Sequence, residues 1–391
     1  MMLRTLDTLE IAGKRVLLRA GFDVPLKEGV VTDDFRIRAG LPTFRALRNR
    51  GAKAVFVLSH LGRPKGKRDI AFSQRAVAER LSALLGGPVS FVEDCVGPKA
   101  EKAARGATEG EVLFFENLRF HEGEEANSSS FTDALARLGD CFVNDAFSDA
   151  HRAHASIVGL PGRLPAAAGV LLTREVETLT RLRDNPAPPF VAVLGGAKIS
   201  DKLPMIERLL PRLEGLCLAG ALANTMLRAK GFGVGHSVVE EDLIERVRTI
   251  ALTDLRLHLP VDVVVSTDRS GAAAVRTCGV GDVAADELIL DIGPDTSELF
   301  SRVVGKAKTV FWNGPMGIAE VPAFRFGTEA MARAVASAPG YSVVGGGDTT
   351  RYPLEMNLAG DIDFLSTGGG AMLELLAGEE LPAVRALSSS S

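Results

Sequence analysis

Several features that would assign a function at once are missing from this 391-residue chain. Its four cysteines, Cys95, Cys141, Cys217 and Cys278, stand far apart without a CxxC pair, so the sequence suggests neither a zinc site nor a disulfide framework. It contains no run of 18 or more apolar residues, and its N-terminus lacks the apolar core of a signal peptide. We therefore expect a cytoplasmic protein. No repeat of 20 to 50 residues is present that would indicate a solenoid.

A strong charge of one sign is also missing. The net charge is −4, with 24 Lys and Arg against 21 Asp and Glu in residues 1–165 and 21 against 28 in the remainder. This balance is too mild for nucleic acid but is compatible with an anionic small molecule on the first half. We expect small-molecule ligands, no nucleic-acid or membrane partner, and a monomer.

Short apolar runs that end at a glycine or at a polar or charged residue recur along the whole chain. Runs of this kind are typical of strands that are buried on both faces of a parallel sheet, and ligands of such sheets gather at the carboxyl ends of the strands. The sequence predicts eleven of them, at 16–22, 54–60, 89–94, 112–117, 141–147, 190–198, 216–220, 261–267, 309–314, 341–347 and 364–370.

Segments with helical periodicity lie between these strands, which predicts an α/β fold with parallel sheets and right-handed crossovers. The length suits two domains. The Pro-rich stretch at 185–190 follows a predicted helix at 173–184 and marks the expected junction. The tail from Ala386 is expected to be disordered.

Two glycine clusters in the second half, Gly345–Thr350 and Ser366–Ala371, each follow a predicted strand and precede a predicted helix. Glycine allows a close backbone approach, and the N–H groups at a helix start suit phosphate oxygens. Each cluster taken alone is equally well explained as a tight turn. Asp348, inside the first cluster, is either a ligand of Mg²⁺ or a plain helix cap.

A third glycine turn, LGGAKISDK, places Lys198 and Lys202 four residues apart, on one face if a helix begins there. No Walker loop of the form GxxxxGK[ST] accompanies them, so they would act as point charges beside phosphates held elsewhere. The alternative is two solvated surface lysines.

Arginine dominates the loops predicted in the first half. Planar guanidinium groups suit carboxylates and phosphates, so a cluster of them at one end of a sheet predicts an anionic ligand. The arginines are Arg19, Arg36, Arg63, Arg119 and Arg152. His151 and His154 have the spacing of a metal pair on a helix, but no third ligand supports a metal, and we favour anion binding or structural hydrogen bonds.

The ordered motifs HLGRP, LRFHEGEE, VNDAF, HRAH, LGGAK, DIGP, WNGPMG, GGGDT and STGGGA resemble the phosphoglycerate kinase family over nearly the whole chain. The resemblance implies two Rossmann-like three-layer α/β/α domains that face each other across a cleft and are joined by a helix and hinge. It implies an acid-binding domain at 1–172 with residues from about 372 to 391 packing back onto it, a hinge region at 173–186, and a nucleotide-binding domain at 187–371. The implied reaction is reversible phosphoryl transfer between 1,3-bisphosphoglycerate and ADP, with Mg²⁺.

The resemblance also implies roles for particular residues. The acid would be held by Arg19, Asp23, Arg36, His60, Arg63, Arg119 and Arg152. Arg36 would meet the transferring phosphoryl group and Lys198 would stabilise the transition state, with Gly346 and Gly369 also catalytic. The nucleotide would contact Gly195, Lys198, Lys202, Asn313, Glu320, Gly346, Gly347, Asp348 and Thr349. Asp348 would hold the metal.

The chain departs from the family in its acid-binding motifs. Gly21 and Asp23 stand where the family has Asp and Asn, so a carboxylate for the substrate hydroxyl is missing and a negative charge is added. Ser148 and Asp149 replace a usual Gly-Thr, and Ile289 replaces a glycine near the adenine.

Three hypotheses follow from these departures. The first is an ordinary phosphoglycerate kinase, which the complete arginine set favours. The second is a related kinase acting on another small carboxylic acid, one that lacks the hydroxyl or has a positive group for Asp23. The third is a nucleotide-binding protein without catalytic activity, against which the retained Arg36, Lys198 and Asp348 argue.

Overall fold

The structure, a computed structural model, describes residues 3–388, except for the side chains of residues 251–253. The chain divides into two compact units, Met1–Thr178 with Glu379–Ser391, and Leu179–Gly378. This division falls inside a helix and not at the Pro-rich stretch, and the boundaries given above stay predictions. None of the helices among the described residues has both the length and the apolar character needed to cross a bilayer.

The described residues contain parallel sheets whose strands alternate with helices, as the sequence pattern predicts. The strands are β1 Arg15–Arg19, β2 Leu26–Lys27, β3 Val30–Val31, β4 Ala54–Leu58, β5 Val89–Val92, β6 Glu111–Phe115, β7 Cys141–Asn144, β8 Ala166–Ala168, β9 Phe190–Leu194, β10 Gly215–Leu218, β11 Leu257–His258, β12 Asp262–Ser266, β13 Arg276–Gly279, β14 Leu288–Ile292, β15 Thr309–Asn313, β16 Tyr341–Gly345 and β17 Phe364–Ser366. The helices are α1 Phe35–Asn49, α2 Arg75–Leu85, α3 Gly97–Gly106, α4 Glu122–Glu125, α5 Ser129–Ala136, α6 Val170–Asp184, α7 Leu203–Leu209, α8 Gly220–Ala229, α9 Ile244–Thr253, α10 Pro294–Val304, α11 Phe326–Ala336, α12 Gly347–Glu355, α13 Gly370–Ala377 and α14 Pro382–Leu387.

The first unit contains a six-stranded parallel sheet in the order β5-β6-β4-β1-β7-β8. Val16, Leu17 and Leu18 in β1 are all buried, so both faces of this central strand are covered. Ile37 and Phe44 of α1 belong to the core on one face. Burial on both faces explains why the strand sequence is apolar without alternation.

The second unit contains a second six-stranded parallel sheet, in the order β11-β10-β9-β15-β16-β17. Trp312 in the central strand β15 is buried and packs with Phe300 of α10 and Met331 of α11. The two glycine clusters lie where they were predicted, between β16 and α12 and between β17 and α13.

All eleven apolar runs contain a strand, but the run at 261–267 was placed in the wrong kind of sheet. Strand β12 pairs antiparallel with β13 and β14 in a separate three-stranded sheet. A buried apolar run has the same sequence pattern in both kinds of sheet, so periodicity does not distinguish them.

The C-terminal segment from Glu379 onward belongs to the first unit. Residues 372–378 stay in the second unit because α13 packs on α7. The backbone N–H of Ala383 donates to the Ala150 carbonyl at 3.0 Å, and Ser388 pairs with Leu3. Ala386 and Leu387 are helical, so the prediction of disorder is wrong there, and 389–391 lie outside the described residues.

Candidate functional site

Four loops of the first unit meet at one edge of its sheet. Strands β6, β4, β1 and β7 are neighbours in that order and run parallel, so their carboxyl ends share an edge. Arg19 ends β1, His60 follows β4, Arg119 follows β6, and the segment from Ser148 to Arg152 follows β7. The structure therefore brings the predicted arginine and histidine loops together.

Asp149 lies at the centre of these side chains. Its Oδ2 accepts a hydrogen bond from Arg19 Nη2 at 3.1 Å and lies 3.4 Å from His60 Nδ1. Its Oδ1 lies 3.6 Å from Arg119 Nη2 and 3.9 Å from Arg152 Nε. Burial opposes the charged form, but His60, Arg19 and Arg119 hold the pKa of this carboxyl well below its usual range. Sequence reasoning saw only a departure from the family here and missed this role.

Arg19 is fully buried, and each of its side-chain nitrogens contacts a partner within the unit. Nε donates to Ser156 Oγ at 2.9 Å and Nη1 donates to the Ala20 carbonyl at 2.6 Å. Nη2 bonds to Asp149 and lies 3.0 Å from His60 Nδ1. These contacts hold the loops around Arg19, and they give no support to the predicted contact of Arg19 with the acid.

His60 lies between two carboxylates, because its Nε2 is 3.5 Å from Asp23 Oδ2 on the side opposite Asp149. Asp23 Oδ1 accepts a hydrogen bond from the Gly62 N–H at 2.9 Å. Burial raises the pKa of Asp23, but His60, the Gly62 N–H and Arg36 outweigh it and lower the pKa to about 2. The negative charge of Asp23 is thus balanced within the protein, without a positive group on the substrate.

Arg36, Arg63 and Arg152 are the arginines of this set that retain appreciable exposure. Arg36 is the second residue of α1 and donates from Nη1 to the Asp23 carbonyl at 2.7 Å. Arg119 is nearly buried and donates from Nη1 to the Gly62 carbonyl at 2.9 Å. A carboxylate or phosphate at this edge would meet guanidinium groups whose positions are set by the protein.

The two histidines that follow β7, His151 and His154, are partly buried beside the arginines of this edge. Burial, followed by the charge of Arg119, lowers the pKa of His154 to about 4, and burial with Arg152 lowers that of His151. Arg119 and Arg152 oppose a positive charge on both imidazoles, and Asp149 favours it. The preference for structural or anion-binding roles stays a prediction.

Among the described side chains, one cluster has the residue types and spacing of metal ligands, namely Asp94, Cys95 and His121. His121 Nε2 is 2.8 Å from Asp94 Oδ1, so these two groups already satisfy each other. Burial raises the pKa of the Cys95 thiol well above its usual value, which opposes the thiolate that a metal needs.

A cavity of about 290 Å³ opens in the second unit. Its wall is formed by the starts of the loops after β9, β10 and β15, by β14 and by the first turn of α12. Glu320 and Asp348, both predicted nucleotide ligands, line it, and so do Ile289 and Arg269. A largely apolar concave surface with a few polar groups is typical of a small-molecule site.

Tight backbone packing forms the strand ends beside this cavity. A Cβ atom on Gly195 would lie 1.9 Å from the Pro315 carbonyl oxygen, so only glycine fits at this position. Asn313 Nδ2 donates to the Gly345 carbonyl at 2.7 Å, while its buried Oδ1 has no partner among the described residues. Gly346 has φ +96°, a conformation that L side chains rarely adopt.

Lys202 is buried beneath this turn and ties two strand ends together. Its Nζ donates to the carbonyls of Gly195 and Asn313. Burial lowers the pKa of Lys202 to about 8, and Asp201 and Asp348 oppose that shift. These contacts make Lys202 a support of the turn, and a solvated surface position is excluded for it.

Lys198 and Lys202 do not share the face of a helix. Helix α7 begins only at Leu203, with Pro204 in its first turn, because proline lacks the N–H that an earlier start would require. Lys198 is exposed in the preceding turn. Glu240 holds that turn by accepting hydrogen bonds from the N–H groups of Ile199 and Ser200. Sequence reasoning missed Glu240, which is far away in the chain.

The first turn of α12 presents N–H groups and an acidic side chain together. Gly346 is the N-cap residue, so Asp348 lies inside the first turn and is not the cap. Gly347 and Asp348 are exposed, whereas Thr349 is buried and accepts a hydrogen bond from the Gly314 N–H at 2.7 Å. Gly369 is the N-cap of α13. The exposed N–H groups of α12 suit phosphate oxygens.

Asp291, which lines the cavity, was also missed. Its two oxygens accept hydrogen bonds from the N–H groups of Ile292 at 2.9 Å and Gly327 at 2.8 Å. Burial raises the pKa of Asp291 to about 7, against the effect of these two N–H groups.

Comparisons with known proteins agree with this arrangement. The family profile for phosphoglycerate kinase matches residues 6–379. The chain is 48% identical over 388 residues to the phosphoglycerate kinase of Moorella thermoacetica, covering 98% of each chain. It is 48% identical over 389 residues to that of Thermomicrobium roseum, covering 98% of this chain and 99% of the relative.

Solved structures give the same result. The phosphoglycerate kinase of Coxiella burnetii matches with a TM-score of 0.84 and 38% identity over 99% of each chain. That of Pyrococcus horikoshii matches with a TM-score of 0.88 and 33% identity over 99% of this chain and 98% of the other. This chain therefore belongs to the phosphoglycerate kinase family.

Proposed function

We propose that this chain transfers a phosphoryl group reversibly between 1,3-bisphosphoglycerate and ADP, giving 3-phosphoglycerate and ATP. The observation that carries the proposal is that a chain of this family keeps a cationic cluster at the strand ends of one unit and a glycine-lined cavity in the other. The first suits an acid with several negative charges and the second suits a nucleotide.

In the first unit, Arg36, Arg63 and Arg152 would hold the carboxylate and phosphate of the acid. Asp149 and His60 keep the buried Arg19 and Arg119 in place, so the exposed guanidinium groups stand on a fixed frame. The acid's carboxylate is itself the nucleophile, so positioning and charge stabilisation account for most of the catalysis.

In the second unit, the exposed Lys198 would stabilise negative charge on the phosphoryl group as it transfers. Glu240 fixes the turn that carries Lys198, and Lys202 fixes the same turn from beneath. The N–H groups at the start of α12 would bind nucleotide phosphates, and Glu320 would contact the ribose. An ammonium group placed in advance costs little reorganisation during the reaction.

The residues present fit a magnesium ion. Asp348 offers an exposed carboxylate on the wall of the cavity, and hard oxygen ligands beside phosphate groups are what Mg²⁺ prefers. When bound, Mg²⁺ neutralises charge on the nucleotide phosphates. Asp348 would hold the ion and direct the phosphates toward the helix N-terminus.

Asp348→Ala tests this assignment. We expect the affinity for nucleotide measured with Mg²⁺ to fall by about 10-fold or more, with little change in the affinity measured without metal. Titration calorimetry in both conditions makes the comparison. Asp361→Ala, an exposed carboxylate elsewhere in the second unit, is the control and should change neither value. Equal losses with and without Mg²⁺ would remove Asp348 from the metal site.

The proposed reaction itself is tested by a coupled assay with Mg-ATP and a panel of small carboxylic acids that includes 3-phosphoglycerate. We expect kcat/KM to be highest for 3-phosphoglycerate. A higher value for another acid would identify the chain as a related carboxylate kinase. Nucleotide binding without turnover of any acid would identify it as a non-catalytic homologue.

A further inference from the structure

Ser148 presents a polar atom that the protein itself does not satisfy. Its Oγ is buried, yet it has no hydrogen-bond partner among the described residues. Leaving a buried hydroxyl unpaired costs stability, so such a group calls for a specific explanation. The hydroxyl lies on the loop after β7 that also carries Asp149 and Arg152, at the sheet edge where the acid is proposed to bind.

Gly21 provides the space that Ser148 occupies. A Cβ atom built on Gly21 would lie 2.8 Å from Ser148 Oγ, closer than unstrained contacts allow, and 3.4 Å from Ala146 Cα. A side chain at position 21 and a hydroxyl at position 148 therefore compete for one volume. Gly21, after β1, has no side chain. The polar group in this volume is therefore the Ser148 hydroxyl, which belongs to the loop after β7.

The chain directly after Ser148 is held in place by its contacts. Asp149, the next residue, is buried in ion pairs with Arg19 and Arg119. Ala150 accepts a backbone hydrogen bond from Ala383 of the C-terminal segment. These contacts restrain the backbone that carries Ser148, which lowers the ordering cost when its hydroxyl binds a ligand.

The chemistry of the surroundings identifies the group that Ser148 would contact. The part-exposed arginines at this sheet edge suit the two anionic ends of the acid, whereas a neutral hydroxyl suits a neutral polar group between them. We propose that Ser148 is a specificity-determining residue of the acid site, and that its Oγ hydrogen-bonds the hydroxyl next to the acceptor's carboxyl group. This inference rests on the proposed function.

The test compares two acids in wild type and in Ser148→Ala. One acid is 3-phosphoglycerate and the other is 3-phosphonooxypropanoate, which lacks only the hydroxyl. We expect Ser148→Ala to lower kcat/KM by about 10-fold or more for 3-phosphoglycerate and to leave it unchanged for the deoxy acid. The loss should reside mainly in KM for the acid, with KM for Mg-ATP unchanged. Ser130→Ala, an exposed serine of the same unit, is the control.

The two proposals fail in different ways. If wild type does not phosphorylate 3-phosphoglycerate, the proposed function falls and this inference falls with it. If wild type is active and Ser148→Ala changes both acids equally, or neither, only this inference is overturned.

Thermal unfolding supplies a readout that a purely structural role would not produce. Removing an unpaired buried hydroxyl should leave the Tm of the free protein unchanged or raise it, while reducing the upward shift that saturating 3-phosphoglycerate produces. A lower Tm of the free Ser148→Ala protein, with the same ligand shift as wild type, would show that the hydroxyl serves packing and would overturn the inference.

A second pair of variants tests the shared volume. Gly21→Ala should raise KM for 3-phosphoglycerate by about 10-fold, because the added methyl displaces the Ser148 hydroxyl. In Gly21→Ala/Ser148→Gly the steric conflict is gone, so the double variant should discriminate between the two acids no better than Ser148→Ala. Full discrimination in the double variant would contradict the role of Ser148.

Discussion

The two candidate sites of this protein differ in the groups that form them: mainly side chains in the first unit and mainly backbone groups in the second. In the first unit the site depends on side chains from distant loops, with one buried carboxylate, Asp149, joining Arg19, His60 and Arg119. In the second unit the site depends on backbone groups brought close by glycine, and Lys202 supports the turn by bonding carbonyls. A charge network fails when a charge is lost, whereas a backbone site fails when an atom is added.

The largest expected effect is the loss of that one charge in the first unit. Asp149→Asn leaves the buried Arg19 without its ion pair and Arg119 with Glu125 alone, which should lower the free energy of unfolding by about 3 to 5 kcal/mol. Asp140→Asn is the matched control, because Asp140 pairs with the part-exposed Arg15, and its loss should cost about 1 kcal/mol or less. Urea unfolding followed by circular dichroism measures both. Equal losses would mean that Asp149 does not organise the site.

An added methyl group should have the next largest effect, and in the second unit. Gly195→Ala places a Cβ 1.9 Å from a backbone oxygen that cannot move aside, which should cost about 3 kcal/mol and abolish nucleotide binding. Gly369→Ala is the control, since nothing lies within 4 Å of its added Cβ, and its stability should change by less than about 1 kcal/mol. A stable Gly195→Ala that binds ATP normally would contradict the proposed backbone construction.

Removing an exposed charge that is proposed to act in catalysis should affect the rate without affecting the fold. Lys198→Ala is expected to lower kcat by about 100-fold, because charge placed in advance is a main source of catalysis in phosphoryl transfer, and to leave the Tm unchanged. Lys230→Ala, another exposed lysine of the second unit, should retain wild-type kcat. Near-native turnover in Lys198→Ala would exclude this lysine from the mechanism.

The smallest expected effect is an opposite response of the two units to pH. The pKa of Asp23 is lowered to about 2. The ionised Asp23 therefore stabilises the folded protein above pH 4, and this stabilisation is lost as the pH falls toward 2. The pKa of Asp291 is raised to about 7. The protonated Asp291 therefore stabilises the folded protein fully below pH 4, and this stabilisation is lost as the pH rises through 7. One proton changes the free energy of unfolding by at most about 1.4 kcal/mol per pH unit.

Unfolding of wild type, Asp23→Asn and Asp291→Asn across pH 3 to 8 measures this response. The difference between wild type and Asp23→Asn should shrink on the acid side. The difference between wild type and Asp291→Asn should shrink on the alkaline side. Differences that do not vary with pH would show that neither carboxyl titrates as the structure indicates.

The sequence predicted the fold more completely than the site. Apolar runs such as 54–60 and 309–314 contain parallel strands, as predicted. They could be recognised because a strand that is buried on both faces has an unbroken apolar sequence. Glycine turns at 345–350 and 366–371 were located for a similar reason, since a local conformation needs a local residue type. Short strands such as β8, with the sequence Ala-Ala-Ala, lack the β-branched residues that would mark them.

Contacts between distant loops could not be predicted in the same way. Nothing near Asp149 in the sequence indicates that Arg19 and Arg119 reach it, because their meeting depends on the order β6-β4-β1-β7 in the sheet. Glu240 was missed for the same reason, since it supports a turn about 40 residues earlier in the chain. The pairing of Gly21 with Ser148 likewise exists only in three dimensions, although both positions stood out in the sequence.

The return of α14 to the first unit sets the order in which the protein can be completed during synthesis. The Ala383 N–H bonds to Ala150, next to the loop that carries Ser148 and Asp149, yet the 200 residues of Leu179–Gly378 must be translated in between. At 5 to 20 residues per second this interval is roughly 10 to 40 seconds. The first unit of the nascent chain therefore lacks this contact beside the proposed acid site until the ribosome has made the whole of the second unit.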